Sequence, residues 1–564
     1  MKFLRPLLAL ALLLILIAAA WLWWALPSRV DMAGYAPADS LVYVEFNNLS
    51  EVAQAIQQSD VWQAAAPITG SKTTSRSRFM MAAARAGIGP LEAVVFARAQ
   101  VALVVVDLNA TEENDTLRVR PEVALIAETH TSKWRTKTSA AEVVRKLANF
   151  AYGASMCSER TGDADYVECS IAGGERKIVG AVDGTLVVIG NSDNAVRSCL
   201  EARRGSRPNM RTDTELLKVR SNFASDKTLG FGYISPANSA KLFSWAAPLL
   251  MRQAPGNPQL EQLLAVSAGK ILRGVAWTAS PTKGGLEDRF LFSLEPGVVQ
   301  RLQPAFETAA GPDENIWKLI PQSFQSVTIY RSKAPAVAWS SLGSAVSFKL
   351  DAVPAVLFGE LLRSSLSVYG IDNPKEVLTT LSPPLLTLRP STATEGSILV
   401  ARVSDEAKLR RSLMEDVFKD GKGQILEGLE SNPSADKEFA AVFADGYVLL
   451  GRTENMRSGL AALRTPETDR RAGVKESAHE SSAPIVTYSN DEERLNNFIT
   501  TLLKLQGRSL SSEEAANLQN TLRRSGFSST ETRLNAFGIE RTTRSAFGQF
   551  GTLVSLLQAD SSAR

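Results

Sequence analysis

Histidine is nearly absent: the chain has two in 564 residues. That leaves little room for histidine metal centres or for hydrolysis that depends on a His base. His130 and His479 are isolated, with no Cys or His at ligand spacing. Cysteine is scarce, with three residues. Charge of one sign is also missing. Lys and Arg number 62 against 59 Asp and Glu, a net charge of +3 that carries no polyanion signature. Nucleic acid is therefore not an expected partner. A Gly-x-Gly-x-x-Gly run, a Walker loop and a Gly-x-Ser-x-Gly elbow are all lacking. Ser192-Asp193-Asn194 matches one element of the penicillin-binding fingerprint, but its Ser-x-x-Lys partner, Ser280–Lys283, lies downstream instead of upstream. Helix capping by Asp193 explains that tripeptide better. No catalytic residue, metal ligand or cofactor is expected.

The strongest positive signal is a long apolar run. Leu7 to Leu26 is unbroken by any polar residue. At about 1.5 Å per residue, a helix of that length spans about 30 Å, the hydrocarbon thickness of a bilayer. Lys2 and Arg5 flank its front. Arg29, soon followed by Asp31, flanks its back, a bias that leaves the N-terminus in the cytoplasm. Trp21, Trp23 and Trp24 fall at the outer membrane interface. Cleavage after Ala18-Ala19-Ala20, as in a signal peptide, is the competing reading. The bulky Trp21-Leu22-Trp23-Trp24 that follows favours an uncleaved anchor. Residues 1–30 are expected to be a cytoplasmic tip and one transmembrane span (7–26), with the remainder exported.

The exported part reads as two copies of one unit. Val182 to Gly190 resembles Ala444 to Gly451, each with an Asp-Gly between apolar runs. Asp183-Gly184 and Asp445-Gly446 are expected as type I′ hairpin turns, whose central residues need positive φ. A capped helix follows each. Upstream, the strand Val123–Glu128 precedes a helix with a capping box at Ser139 and Glu142, and the strand Ile398–Val403 precedes a helix near Asp405–Phe418. Downstream, the second copy is expected to close with strands near Leu534–Ile539 and Phe547–Val554. The copies span residues 36–298 and 319–557, with a linker at 299–318 and a tail at 558–564. Intermingled helices and hairpin-joined strands predict an α+β fold, two tandem copies of a mainly antiparallel sheet with helices.

Tyr35-Ala36-Pro37-Ala38-Asp39-Ser40-Leu41-Val42-Tyr43-Val44, and the run from Asp183 to Ser192, resemble the bacterial family known as domain of unknown function 3352. The resemblance implies a protein anchored in the bacterial inner membrane with a periplasmic or extracellular body. It implies no activity and no catalytic residues.

Cys157 and Cys169 are twelve apart, and export makes a disulfide between them the favoured reading over two buried thiols. Cys199 is expected to pack in the core. Trp62, Trp134, Trp245, Trp277, Trp317 and Trp339 are core candidates, and a groove between the copies lined by some of them is a further option. Three functions follow. The first is a non-enzymatic envelope protein, anchored through residues 7–26, that binds a protein, lipid or cell-wall component or acts as a scaffold. The second is a carrier with an apolar cavity between sheet and helices. The third is a carboxylate-dependent hydrolase, which needs clustered buried acids in a concave site.

Overall fold

The computed structural model describes residues 29–47, 49–68, 95–96, 99–113, 116–152, 156–171, 176–239, 241–242, 269–309, 320, 324–390, 396–415, 417–419, 423–463, 481–505 and 509–550. The anchor (7–26) with Trp21, Trp23 and Trp24, residues 310–318 of the linker, the tail, Trp245, Trp317 and His479 lie outside the described residues. Among the described residues no helix is long and apolar enough to cross a membrane. Helix and strand are both abundant and the sheet is antiparallel, so the class is α+β.

After a 3-10 turn at Met32–Tyr35 and a strand β1 (Val42–Phe46), the chain builds two compact units. The first unit holds the described residues within Met1–Ser40, Glu45–Ser50 and Gly87–Thr214. Its strands are β2 (Gln100–Glu113), β3 (Thr116–Glu128), β4 (Met156–Thr161), β5 (Asp165–Ser170), β6 (Lys177–Asp183) and β7 (Leu186–Gly190). They pair antiparallel in the order β2-β3-β7-β6-β5-β4. Both faces of β7 are covered, which is why Leu186–Ile189 reads as a continuous apolar run. Val187 and Ile189 point to one side, where Val143, Val144 and Ala148 of the helix Lys133–Tyr152 cover them. Gly190 points to the other. A Cβ there would lie 2.9 Å from Val196 Cγ2, so the helix Asp193–Arg204 sits directly on it.

The second unit holds the described residues within Leu41–Val44, Glu51–Ala86 and Glu215–Arg564. Its strands are β8 (Gly230–Ile234), β9 (Leu272–Thr282), β10 (Gly285–Leu294), β11 (Ser326–Tyr330), β12 (Leu381–Arg389), β13 (Ile398–Val403), β14 (Gln424–Leu426), β15 (Leu429–Pro433), β16 (Phe439–Ala444), β17 (Tyr447–Arg452), β18 (Ile485–Asn490), β19 (Phe527–Asn535) and β20 (Gly538–Ser545). They form one antiparallel succession, β8-β9-β10-β20-β19-β18-β11-β12-β13-β17-β16-β15-β14. Val327, Ile329, Leu386, Leu388, Val400 and Val486 face one core, closed by Met456 and Leu460 of the helix Thr453–Leu463. The alternate residues Leu385, Leu399 and Ala401 face a second core, under Leu409 and Leu413 of the helix Glu406–Glu415.

Four expectations need correction. Asp445 and Gly446 have φ +51° and +79°, so the second turn is type I′ as read. In the first, Asp183 pairs with Leu186, and the central residues are Gly184 (φ +69°) and Thr185, so only the first takes positive φ. A glycine in the leading position suits a II′-like turn, which moves Asp183 into the strand. Ser139 is buried in mid-helix. The helix begins earlier, at Lys133, and Glu142 pairs with Lys146 at 3.1 Å instead of capping. The cap before Ala195 is Ser192, whose hydroxyl accepts from Ala195 N at 3.1 Å; Asp193 lies in the first turn and pairs with Lys177. Among the described residues the last two strands are β19 and β20, earlier than Leu534–Ile539 and Phe547–Val554, and 551–554 lie outside the described residues. The Asn535 side chain fixes their turn by accepting from Phe537 N and Gly538 N.

Candidate functional site

A gap in the second core lies where β11, β12, β13 and β18 meet the helix Pro335–Ser347. Registers place Leu385, Tyr330 and Ile485 in one row across three strands, with Thr387, Thr328 and Thr487 in the next. These residues share the face that carries Leu399. Pro335 starts the covering helix at a position where a missing N–H costs nothing. Ala338, Trp339 and Leu342 of that helix hang over the row. Leu366 and Tyr369 close one side, and Tyr369 is held there by the left-handed Gly370 (φ +75°) that ends its turn. The result is a cleft of about 400 Å³, within the range of small-molecule sites.

Its lining is apolar apart from hydroxyls and one indole N–H. Among the described residues that line it there is no acid, lysine, arginine or histidine. The Tyr369 hydroxyl lies 2.7 Å from Ser397 Oγ, and burial pushes the phenol up from its ordinary pKa, so it stays neutral. Ser365 Oγ donates to Leu362 O at 2.8 Å. Ser332 Oγ is shielded from solvent and finds no hydrogen-bond partner among the described residues.

A second cavity, about 720 Å³, is lined by Lys218, Arg273, Arg289, Glu215 and Glu540 among others. Its charges are mixed: Arg289 donates to Glu540 at 2.8 Å and lies over the Phe223 ring, and Lys270 pairs with Asp351 at 3.0 Å. That mixture selects for no one ligand charge.

Buried carboxylates do exist, but they line neither cavity. Asp288 is almost wholly buried. One of its oxygens accepts from Trp277 Nε1 at 2.8 Å and the other from Gln549 N at 3.0 Å. Burial pushes its pKa up to about 6, against the pull of those two donors and of Arg494. Asp491 is also raised by burial, although Arg494 donates to it at 2.7 Å. No cluster of three or more His, Cys, Asp or Glu with the geometry to hold a metal occurs among the described residues.

Cys157 and Cys169 stand directly opposite on β4 and β5 and are disulfide-bonded, with Cα atoms 4.1 Å apart. Cys199 is buried under the first unit's sheet, and burial pushes its thiol up to about 12. Asp183 receives Arg204 at 3.2 Å, so its charge anchors the hairpin to the following helix. His130, at φ +50°, places Nε2 3.0 Å from Gln100 Oε1, which also accepts from Val30 N. Nε2 therefore carries the proton. Of the tryptophans, Trp339 lines the cleft, Trp277 is buried on Asp288, Trp62 meets Phe547 edge-on and Trp134 is exposed.

Sequence reasoning singled out Trp339 but missed Tyr330, Ser332, Thr387 and Ile485. Their only signal is strand alternation, and it becomes a site only once β18, β11 and β12 are known to be neighbours. No protein family, curated protein or solved structure matches the chain.

Proposed function

We propose that the chain is a single-pass, membrane-anchored envelope protein whose exported body is a duplicated, non-catalytic α+β unit, and that it binds an apolar ligand in the cleft under Pro335–Ser347. The cleft carries this reading. A packed domain rarely leaves so large an apolar gap between a sheet and its helices without a use for it. The Leu7–Leu26 run supports the anchor.

The duplication is supported by strand order. The pairings β2-β3-β7-β6-β5-β4 in the first unit recur as β12-β13-β17-β16-β15-β14 in the second, and β8-β9-β10 recurs as β18-β19-β20. Gly190 and Gly451 both close in on the backbone oxygen of the residue before the facing strand position, Val123 and Ser397.

The test is to isolate the full chain in polymer-bounded native membrane discs and identify tightly held lipids by mass spectrometry. Wild type should retain one apolar species that an Ala338→Phe variant, with the cleft filled, loses. Equal lipid content in the two would refute the binding role. Protease added outside intact cells with a permeabilised outer layer should cut the body; protection of the body would refute the export.

A further inference from the structure

We infer that the apolar ligand of the cleft is a lipid-soluble molecule with a flat, uncharged aromatic ring, and that the cleft selects this ring over a saturated ring or a hydrocarbon chain. The inference rests on the binding reading above and names its ligand class.

Three observations carry it. The first is the lining itself. Phe306, Tyr330, Trp339 and Tyr369 all line the one cleft, in a chain that is only 7% aromatic. Burial alone does not call for that concentration, because leucine, isoleucine and valine exclude water as readily.

The second is what these four rings lack. Elsewhere aromatic side chains meet one another: Trp62 and Phe498 both meet Phe547, Phe324 meets Phe527, and Trp277 meets Phe290 and Phe550. Among the described residues none of the four cleft rings stacks on another ring or meets one edge-on, and no Lys or Arg lies over one. An aromatic pair gains free energy beyond the area it buries. A ligand ring therefore finds a contact here that a saturated ring of the same size does not.

The third is where the rings come from. Tyr330 ends β11 in the floor, Trp339 hangs from the covering helix, Tyr369 closes the 3-10 turn Ser367–Tyr369, and Phe306 closes the 3-10 turn Gln303–Phe306. Tyr330, Trp339 and Tyr369 pack into the second core, and Phe306 packs against the cluster of Val298, Leu302 and Ala345. Each ring is thus held on its own packed element, and the four do not close on one another. The lack of any charged side chain in the lining sets the ligand's charge. An ionised group brought into such a place loses its hydration and gains no counter-charge. Binding alone is proposed, with no covalent step.

The test uses the full chain in native membrane discs and four probes that share one alkyl diazirine linker. Their heads are naphthyl, decalinyl (the same ten carbons, saturated and puckered), n-decyl, and a carboxynaphthyl anion at pH 8. Adducts are mapped to the peptides covering 330–342 and 385–399 and normalised to adducts on the disc lipid, which removes differences in partitioning. The naphthyl probe should label these peptides about fivefold more than the decalinyl and decyl probes, as one aromatic pair allows. The carboxynaphthyl probe should trail the naphthyl probe by about tenfold or more. Trp339→Leu and Tyr330→Leu should each bring naphthyl labelling down toward the decalinyl level, and Trp339→Phe should restore part of the preference. Equal naphthyl and decalinyl labelling of wild type, equal labelling by the anion, or a ring preference that survives both leucine variants overturns the ligand class and leaves the apolar site standing. If decalinyl labelling vanishes in a leucine variant, the cleft has collapsed there, and the wild-type comparison decides. Absence of adducts from every probe removes the binding reading itself.

Discussion

Asp288 should make the second unit less stable as pH rises, the reverse of the usual carboxylate effect. Its side chain is nearly wholly enclosed, between Trp277 Nε1 and Gln549 N. Gly548 (φ +54°) brings the C-terminal turn so close that a Cβ there would stand 2.6 Å from Oδ2. Arg494 and Glu287 act on it from opposite directions, and burial prevails, lifting the carboxyl from the ordinary 3.8 to about 6. A folded-state pKa above the unfolded one means that the folded chain holds the proton more tightly. Stability is therefore greatest below about pH 4 and is lost as pH climbs through about 6. The whole cost is about 3 kcal/mol. Asp288→Asn keeps an acceptor for one donor and turns an N–H toward the other, for a roughly pH-independent loss of about 1–3 kcal/mol. The readout is hydrogen–deuterium exchange of the peptides covering 285–294 and 538–550, in wild type and Asp288→Asn, from pH 4.5 to 8. After correction for intrinsic exchange, the wild-type advantage over the variant should shrink by about 2–3 kcal/mol across that range. A flat difference, or one that grows with pH, would show that the carboxylate is ionised at little cost and that the burial argument fails.

A Cβ on Gly538 would sit 2.0 Å from Phe292 O, at φ +149°, so Gly538→Ala should cost about 3 kcal/mol or more and raise exchange across β10 and β20. Unchanged exchange there would contradict the close seam. Reducing the Cys157–Cys169 bond reopens a loop of twelve residues' separation and should cost the β4–β5 hairpin up to about 3 kcal/mol, seen as faster exchange over 156–170. Cys199 should stay inert to a water-soluble disulfide reagent at pH 8 in the folded protein and react fully in urea, because burial keeps the thiol protonated. Rapid modification without denaturant would argue against that packing.

Much of the fold was legible because its signals are local. Ile398–Val403 is a strand at the bounds its apolar run suggests, and Asp445-Gly446 makes the turn its chemistry demands. The failures have a common source. Ser139 and Glu142 have the spacing of a capping box, but the helix starts six residues earlier, and nothing within that tetrad reveals it. β19 and β20 are rich in Thr, Arg and Glu because many of their side chains are only half covered, so they lack the apolar pattern that marks a strand. The cleft was illegible for a stronger reason. Tyr330, Leu385 and Ile485 become one row only through pairings between strands far apart in sequence, and no local period encodes those pairings.

On the duplicated reading, the cleft has a structural origin. The strand face that the helix Lys133–Tyr152 covers in the first unit corresponds to the face under Glu406–Glu415 in the second. The first helix has 20 residues and the second 10. The shorter helix reaches Leu399 and Ala401 but leaves the β18-β11-β12 end to other elements. Pro335–Ser347 takes over that end, and it does so loosely. Ser341 and Ala345 are its buried residues, while Val337 and Leu342 remain exposed. A packing defect and a binding site make opposite demands on this gap. If it is only a defect, Ala338→Phe fills it, the core tightens, and nothing else changes. If it is a site, the same substitution stabilises the empty protein by about 1 kcal/mol or more and removes its lipid. Stability gained together with ligand lost is therefore the outcome that assigns the gap to function, and stability gained alone assigns it to an imperfectly filled second copy.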